Sequence, residues 1–168
     1  MRRGLIGEHL GHSYSQRIHE TLGGYPYELI EVALQDLDAW MKNKDFAALN
    51  VTIPYKKAVI PYLEELDERA RRIGAVNTIV NDHGRLIGKN TDYYGCWFML
   101  EQAGMEIQGR KVILLGNGGA AQAVQAVLEE LGAAAIVKVK RNPSPETLTY
   151  EEAYRDHSGA QVIVNTSP

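Results

Sequence analysis

The 168-residue sequence has little of several features that would assign a class at once. Its single cysteine, Cys96, excludes an internal disulfide framework and fits a reducing compartment. No apolar run is long enough for a membrane span, and the basic start of the chain breaks at Gly4 and Gly7 before a signal peptide could form. With 18 basic against 21 acidic residues, the net charge of -3 provides no broad positive field for nucleic acid. These absences predict a soluble cytoplasmic protein that binds neither membranes nor nucleic acid.

What is present is an ordinary globular composition, 45% hydrophobic and 23% charged, in a chain long enough for one full domain or two small ones. Short apolar runs alternate with helical patterns, without repeats, over roughly the first 90 residues. Within them, "GAVNTIVNDHGRLIGKN" indicates two strands around an Asp-His-Gly turn. The pattern predicts an α/β fold whose first domain covers residues 1–91.

The second part of the chain begins with a helical pattern, "TDYYGCWFMLEQAG". It predicts a connecting helix over residues 92–105, anchored by Trp97, Phe98 and Leu100. Residues 110–142 are then predicted as strand, glycine turn, helix and strand, which is a βαβ unit with the right-handed crossover that such units have, within a domain at 106–168.

The stretch "NVTIPYKKAV" places a lysine one turn past a short β-branched run. Val51 to Ile53 are predicted as the end of a buried strand, and Pro54 lacks the N–H to continue a ladder. Lys56 therefore falls where a strand end meets a helix start, and such strand ends face ligand crevices in α/β proteins. The alternative is that Lys56 and Lys57 form only the solvated first turn of the helix.

A glycine turn provides a second chemical signal. Gly116, Gly118 and Ala121 fit G-x-G-x-x-[G/A], directly after an apolar strand and directly before a helix, which is the context of a dinucleotide-binding turn. Gly116 allows the tight turn, and Gly118 lets backbone N–H groups approach a pyrophosphate. Ala120 and Ala121 are small enough for close helix packing. The alternative is a glycine-rich turn without a ligand.

The end of the next strand favours one dinucleotide over the other. An NAD site usually has Asp or Glu there, whereas this sequence has "VKVKRN". Lys138, Lys140 and Arg141 would attract a 2′-phosphate, and Arg141 can bind it through its planar fork. The sequence therefore favours NADP, although an ordinary solvated strand end would look the same.

Other clusters of titratable residues give weaker functional signals. His9 and His12 are three apart, but no cysteine, third histidine or carboxylate pattern completes a metal site, so no metal is predicted. The basic cluster in "DERARRIG" alternates with acids on a helical segment and is predicted to be a solvated face. Cys96 lacks a suitably spaced histidine and is predicted to be buried on its helix.

Six linked motifs occur in the order and at the spacings of one known family. They are "GHSYSQRIH", "NVTIPYK", "GAVNT", "GKNTDYYG", "LGNGGAAQA" and "VIVNTSP". On these motifs the whole chain resembles the shikimate dehydrogenases. The resemblance implies a two-domain α/β enzyme, with a substrate-binding domain at 1–91 and a Rossmann-like NADP-binding domain at 106–168, that reduces 3-dehydroshikimate to shikimate with NADPH on the route to aromatic amino acids.

The resemblance also implies roles for residues at matching positions. Ser13 and Ser15 would bind the substrate carboxylate, Asn50, Thr52 and Asn77 would hold ring hydroxyls, and Lys56 and Asp92 would form the catalytic pair. Asp92 and Thr91 are also good helix-capping residues, and both roles are compatible. The positions implied to bind the cofactor are Gly116, Asn117, Gly118, Gly119, Ala120, Ala121, Lys140, Arg141 and Asn142.

Several positions depart from the family pattern. Gln16 stands where proline is usual, Gln122 replaces a basic residue after the glycine turn, and "KRN" replaces "NRT". The departures leave open a quinate/shikimate dehydrogenase with broader cofactor use, or a non-catalytic paralogue that only binds ligand. A homodimer is also compatible.

The family continues well past "NTSP", so the cofactor domain is expected to be incomplete over these 168 residues. The strand predicted at Gln161 to Thr166 would then lie close to an unpaired edge. We expect at most weak NADP binding and negligible dehydrogenase activity from a chain of this length alone.

Overall fold

The chain folds into two units, Met1–Thr91 and Asp92–Pro168. The structure is a computed structural model that describes residues 1–11 and 13–167. His12 lies outside the described residues, as does Pro168 at the end of the "VIVNTSP" motif. The α/β fold predicted from the sequence is confirmed.

The first unit is built on a six-stranded sheet of order β2-β1-β3-β5-β6-β4. Its elements are β1 (Arg2–Gly7), α1 (Ser15–Gly23), β2 (Glu28–Glu31), α2 (Leu37–Asn43), β3 (Phe46–Val51), α3 (Tyr55–Ala58), β4 (Glu65–Leu66), α4 (Glu68–Ile73), β5 (Thr78–Asp82) and β6 (Arg85–Lys89), with short 3-10 helices at Leu34–Asp36 and Ile60–Tyr62. Strands β1, β2 and β3 run parallel, whereas β5 runs antiparallel to both β3 and β6.

The register of the antiparallel strands determines where polar side chains collect. Asn50 at the end of β3 pairs with Thr78 at the start of β5, and Thr78 pairs with Lys89 at the end of β6. The ends of β3 and β6 and the start of β5 therefore share one edge of the sheet. The predicted hairpin is confirmed, since β5 and β6 are joined by His83 and Gly84, both at positive φ.

The core of the first unit fixes these strands. Ile6, Phe46, Leu49 and Ile79 are at most 2% exposed and pack with apolar side chains of the covering helices. Burial of this kind contributes roughly 1.5–3 kcal/mol for each large apolar side chain, and alternation along the strands leaves the opposite positions for other contacts.

The predicted strand end at Ile53 is wrong by two residues. Strand β3 ends at Val51, and Ile53 is 68% exposed. The last sheet bond joins Thr52 N to Ile6 O at 3.0 Å, after which Thr52 O accepts from Tyr55 N at 2.8 Å. This local turn, together with the missing N–H of Pro54, directs the chain into α3.

The second unit is built on a three-stranded parallel sheet of order β8-β7-β9. Its elements are α5 (Asp92–Gln102), β7 (Lys111–Leu115), α6 (Gly119–Glu130), β8 (Ala135–Val139), α7 (Tyr150–His157) and β9 (Val162–Asn165). The central strand β7 is buried from Val112 to Leu114, whereas Ile163 of the edge strand β9 is 66% exposed. The outer strands are thus less covered than their apolar sequences predict.

Helix α5 buries a different face from the predicted one. Tyr93 is buried at 2% exposure and Phe98 is 60% exposed, while Trp97 and Leu100 are partly buried. Positions 93, 97 and 100 follow the helical repeat and share one face, from which Phe98 is turned by about a third of a circle. Cys96 is only half-buried, which nevertheless raises its pKa.

Two further findings concern elements that the sequence addressed. No helix of residues 1–11 and 13–167 is both long and apolar enough to cross a membrane. Within the same residues, no three His, Cys, Asp or Glu side chains are grouped so as to hold a metal ion.

Candidate functional site

A polar edge of the first unit brings together Asn50, Asn77 and Thr78, three side chains around the ends of β3 and β5. Asn50 Nδ2 donates to Thr78 Oγ1 at 3.2 Å and to the Asn77 carbonyl at 3.5 Å. Thr78 Oγ1 in turn donates to Asn77 Oδ1 at 3.1 Å. The two amides predicted to hold ring hydroxyls are thus parts of one hydrogen-bonded group.

Asn77 also fixes the chain that leads out of the first unit. It is 8% exposed, and its Oδ1 accepts from Thr91 N at 2.9 Å while its Nδ2 donates to Thr91 Oγ1 at 3.0 Å. The residue that follows is Asp92, the first of α5 and partly buried. The segment before the predicted catalytic aspartate is therefore held at the polar edge.

Thr52 lies beside the loop that follows β1. A Cβ on Gly7 would come within 2.8 Å of Thr52 Cγ2 and 2.7 Å of Leu10 Cδ2. Only glycine therefore allows this close approach. The loop from Gly7 leads to Ser13 and Ser15, and it is held by the bond from Leu10 N to Glu31 Oε1 at 2.6 Å.

Ser13 and Ser15 lie together at the start of α1. Ser13 Oγ accepts from Ser15 N at 3.2 Å, and Ser13 N donates to Leu10 O at 3.0 Å. A hydroxyl that accepts a backbone hydrogen bond still has its own proton to donate. This arrangement suits recognition of a carboxylate by a neutral donor.

Lys56 lies in α3, immediately beyond the end of β3. Its main-chain carbonyl accepts from Val76 N at 2.7 Å, which ties α3 to the segment leading into β5. Lys56 is partly buried, whereas the neighbouring Lys57 is exposed. The two lysines of this stretch therefore differ in exposure, and the main chain at Lys56 is bonded to Val76, the residue before Asn77.

In the second unit the glycine turn joins β7 to α6 as predicted. Gly116 has φ of 107°, and a Cβ there would lie 2.7 Å from Thr166 Oγ1 and 3.2 Å from Thr166 C. Gly118 precedes α6 in extended conformation, and Gly119 is the first residue of this 12-residue helix. Asn117, between Gly116 and Gly118, is partly buried. The backbone N–H groups at the helix start are the groups that bind phosphates in such turns.

The two alanines of the turn differ. Ala121 is 1% exposed and packs inward, as predicted, but Ala120 is exposed. The prediction that both allow close packing is wrong for Ala120, because consecutive positions on a helix point about 100° apart.

The basic segment after β8 lies at the same edge of the sheet as the glycine turn, since β7 and β8 run parallel in register. Lys140, Arg141 and Asn142 are exposed. Lys138 differs, because its largely buried side chain pairs with Glu146 at 3.8 Å. The positive groups available to a phosphate at this end are therefore Lys140 and Arg141.

Three positions of these sites were not predicted from the sequence. Thr166 donates both its N–H and its hydroxyl to Leu115 O, at 2.8 and 2.7 Å, and so holds the segment after β9 against Gly116. Thr78 links the two asparagines, and the Tyr27 hydroxyl donates to Asn50 Oδ1 at 2.6 Å. Thr78 and Thr166 stand inside recognised motifs, whereas no local signal marks Tyr27.

Comparison with known proteins identifies the family. Residues 5–79 match the family model described as the shikimate dehydrogenase substrate binding domain. The shikimate dehydrogenase (NADP(+)) of Halothermothrix orenii is 46% identical over 147 residues, which are 82% of this chain and 51% of that protein. The enzyme of the same name from Clostridium beijerinckii is 38% identical over 98% of this chain and 67% of its own length.

Solved structures agree. Shikimate 5-dehydrogenase from Thermus thermophilus, solved in complex with NADP(H) and shikimate, matches 99% of this chain and 69% of its own at a TM-score of 0.83 and 31% identity. The chain spans about half the length of the curated relatives from Halothermothrix orenii and Carboxydothermus hydrogenoformans. Extensive coverage of this chain at these identities confirms the resemblance drawn from the six motifs, and the chain belongs to the shikimate dehydrogenase family.

Proposed function

We propose that this protein takes part in the NADP-dependent reduction of 3-dehydroshikimate to shikimate. The observation that carries the proposal is the polar edge, where the neutral side chains Asn50, Thr78 and Asn77 are interlinked directly beside the helix that holds Lys56. Neutral donors and acceptors in fixed positions suit a polyhydroxylated ring, and the serines at the start of α1 suit its carboxylate.

The second unit fits the dinucleotide. The turn fits a pyrophosphate, because Gly116 and Gly118 have no Cβ and a helix starts at Gly119. The exposed Lys140 and Arg141 fit a 2′-phosphate. Asn117, Ala120, Ala121 and Asn142 belong to the same proposed contact surface. When bound, the reduced cofactor supplies a hydride to the ring ketone.

Lys56 and Asp92 would carry the proton chemistry. A ketone oxygen that receives a hydride on its carbon becomes an alkoxide, and an ammonium beside it stabilises that charge and donates the proton. Asp92 would orient the ammonium and accept from a neighbouring hydroxyl. Thr52 would contact the ring from the end of β3.

Absorbance at the nicotinamide band tests the proposal. The samples are this chain and a chimera in which the C-terminal part of the Halothermothrix orenii relative follows residue 168. Each is given shikimate or quinate with NADP or NAD. We expect NADP-linked oxidation of shikimate by the chimera; equal use of both substrates or both cofactors would favour the broader quinate/shikimate dehydrogenase, and ligand binding without turnover would favour a binding protein.

Lys56→Ala in the chimera separates a catalytic role from a binding role. We expect kcat to fall by about a hundredfold or more with KM comparatively unchanged, because the alkoxide charge exists only near the transition state. A collapsed affinity with unchanged turnover at saturation would contradict the assigned role.

We also propose a cytoplasmic homodimer. The lone cysteine fits a reducing compartment, and Ile18 and Leu22 on α1 expose 51% and 83% of their surface. Comparing the sedimentation of the chain with that of its Leu22→Glu variant tests the association.

A further inference from the structure

Tyr27 is the side chain behind Asn50. It is 3% exposed, and its hydroxyl lies 2.6 Å from Asn50 Oδ1. Its ring stacks on His19 with centroids 4.1 Å apart and planes 6° from parallel. Both the position of the ring and that of the hydroxyl are thus fixed by packing.

Backbone groups determine which way the Asn50 amide faces. Its Nδ2 points at the Asn77 main-chain carbonyl and at Thr78 Oγ1. A carbonyl can only accept, so the nitrogen of the amide must be on that side and the oxygen must face Tyr27. The Tyr27 hydroxyl is therefore the donor.

The Asn77 amide is oriented in the same manner. Thr91 N, a backbone group that can only donate, lies 2.9 Å from Asn77 Oδ1. The Thr78 hydroxyl also donates to this oxygen, which leaves the Thr78 lone pairs to accept from Asn50. One directed series of donors and acceptors thus runs from Tyr27 through Asn50 and Thr78 to Asn77.

Burial keeps Tyr27 in the form that this series needs. Desolvation raises the pKa of Tyr27 above its usual value of 10.0, so the hydroxyl stays protonated across the working range of a biosynthetic enzyme. A carbonyl oxygen has two lone pairs and Tyr27 uses one, so Asn50 Oδ1 retains an acceptor for a ring hydroxyl.

We propose that Tyr27 and Thr78 are positioning residues, which hold the amides of Asn50 and Asn77 in one orientation so that Asn50 accepts a hydrogen bond from a substrate hydroxyl. This rests on the proposed function of the polar edge. Packing alone does not need the hydroxyl, since phenylalanine would fill the same space and stack on His19 equally well. The hydroxyl does what the ring cannot, because it holds the oxygen side of the Asn50 amide at 2.6 Å, whereas the nitrogen side is held by longer bonds of 3.2 and 3.5 Å.

A double-mutant cycle on the full 168-residue chain tests the proposal. Shikimate is titrated into the wild type, Tyr27→Phe, Asn50→Ala and the double variant by calorimetry. We expect Tyr27→Phe to weaken binding about fivefold, the size of one net hydrogen bond, and to have no further effect once Asn50 is alanine. Thr78→Val should weaken binding similarly, whereas the matched control Tyr62→Phe, whose hydroxyl contacts Asp38, should not change it.

Unchanged affinity in Tyr27→Phe, or the same loss in both Asn50 backgrounds, would overturn the proposal. NMR of the Asn50 side-chain amide gives a second readout that needs no ligand. We expect its two Nδ2 protons to shift and exchange faster in Tyr27→Phe and to stay unchanged in Tyr62→Phe. If the wild type does not bind shikimate, the proposed function fails, and the positioning role is then decided by this amide: unaltered resonances would overturn it and altered ones would support it.

Discussion

The two units hold their candidate sites in different ways. In the first unit the site consists of side chains bonded to one another and to the backbone: Asn77 bonds both Thr78 and Thr91, and Asn50 bonds both Tyr27 and Thr78. In the second unit the site consists of a backbone turn and the exposed residues Lys140 and Arg141. The side chains that recognise ligand should therefore be coupled to stability in the first unit and largely separate from it in the second.

The difference follows from the protein groups that each ligand requires for its recognition. A hydroxylated ring has to be met by donors and acceptors with fixed directions, which only well-supported side chains provide. Phosphates are met by backbone N–H groups and by positive charge, which demand a particular backbone conformation but little side-chain order. The two indoles report the units separately, since Trp40 lies in the first and Trp97 in the second.

Asn77→Ala tests the coupling in the first unit and has the largest expected effect. It removes the partners of Thr91 N and of the Thr78 hydroxyl, and we expect it to lower the free energy of unfolding of the first unit by about 2–3 kcal/mol. The Trp40 indole N–H resonance, followed in a urea titration, measures this. The matched change in the other site, Arg141→Ala, should move the Trp97 transition by less than about 0.5 kcal/mol; equal effects would break the comparison.

Gly116→Ala tests whether the second site depends on its backbone. At φ of 107° an added Cβ is strained and meets Thr166, so we expect the second unit to lose about 1–3 kcal/mol of stability. Gly95→Ala is the control within the same unit, because Gly95 is exposed inside α5 with open space around a Cβ. It should stabilise by about 0.5–1 kcal/mol. A Gly116→Ala variant that is as stable as the wild type or more stable, read from Trp97 in urea, would contradict this prediction.

Arg141→Ala sharpens the comparison on the ligand side. Because Arg141 is exposed and available to a 2′-phosphate, its loss should weaken NADP binding about tenfold and leave NAD binding unchanged. Calorimetry with the two cofactors on the chimera checks this. Equal weakening of both would place Arg141 away from the phosphate.

The smallest expected effect is the loss of stability when the pH is lowered. The Lys44 ammonium and the Leu86 N–H, at 2.6 Å from Oε2, lower the pKa of Glu64 below its usual value of 4.5. The stability that this provides is present above the unfolded pKa and is lost as pH falls below about 4.5 through the lower folded value. The carboxylate is 45% exposed, so the loss should be under about 1 kcal/mol. Urea titrations of Trp40 at about pH 7 and about pH 3.5 should give a smaller difference in Glu64→Gln; an unchanged difference would argue against this carboxylate.

Much of the fold was predictable because its signals are local. The strand, glycine turn and helix from Lys111 to Glu130 and the hairpin around Gly84 depend on residues a few positions apart, through side-chain periodicity and the need for positive φ. The end of β3 and the buried face of α5 were less accessible, because a Thr52–Tyr55 turn and the packing of one helix face decided them.

The sequence by itself determined the α/β order of elements, the glycine turn at Gly116 and the family to which the six motifs point. Only the tertiary structure decided that Tyr27 meets Asn50, 23 positions away, and that Asn50 meets Thr78, 28 positions away. The physical reason is that propensity and periodicity act within a few residues. The Asn50–Thr78 contact instead depends on β5 pairing antiparallel with β3 in a register fixed by burial of Leu49 and Ile79, and the Tyr27–Asn50 contact depends on the parallel strand order β2-β1-β3.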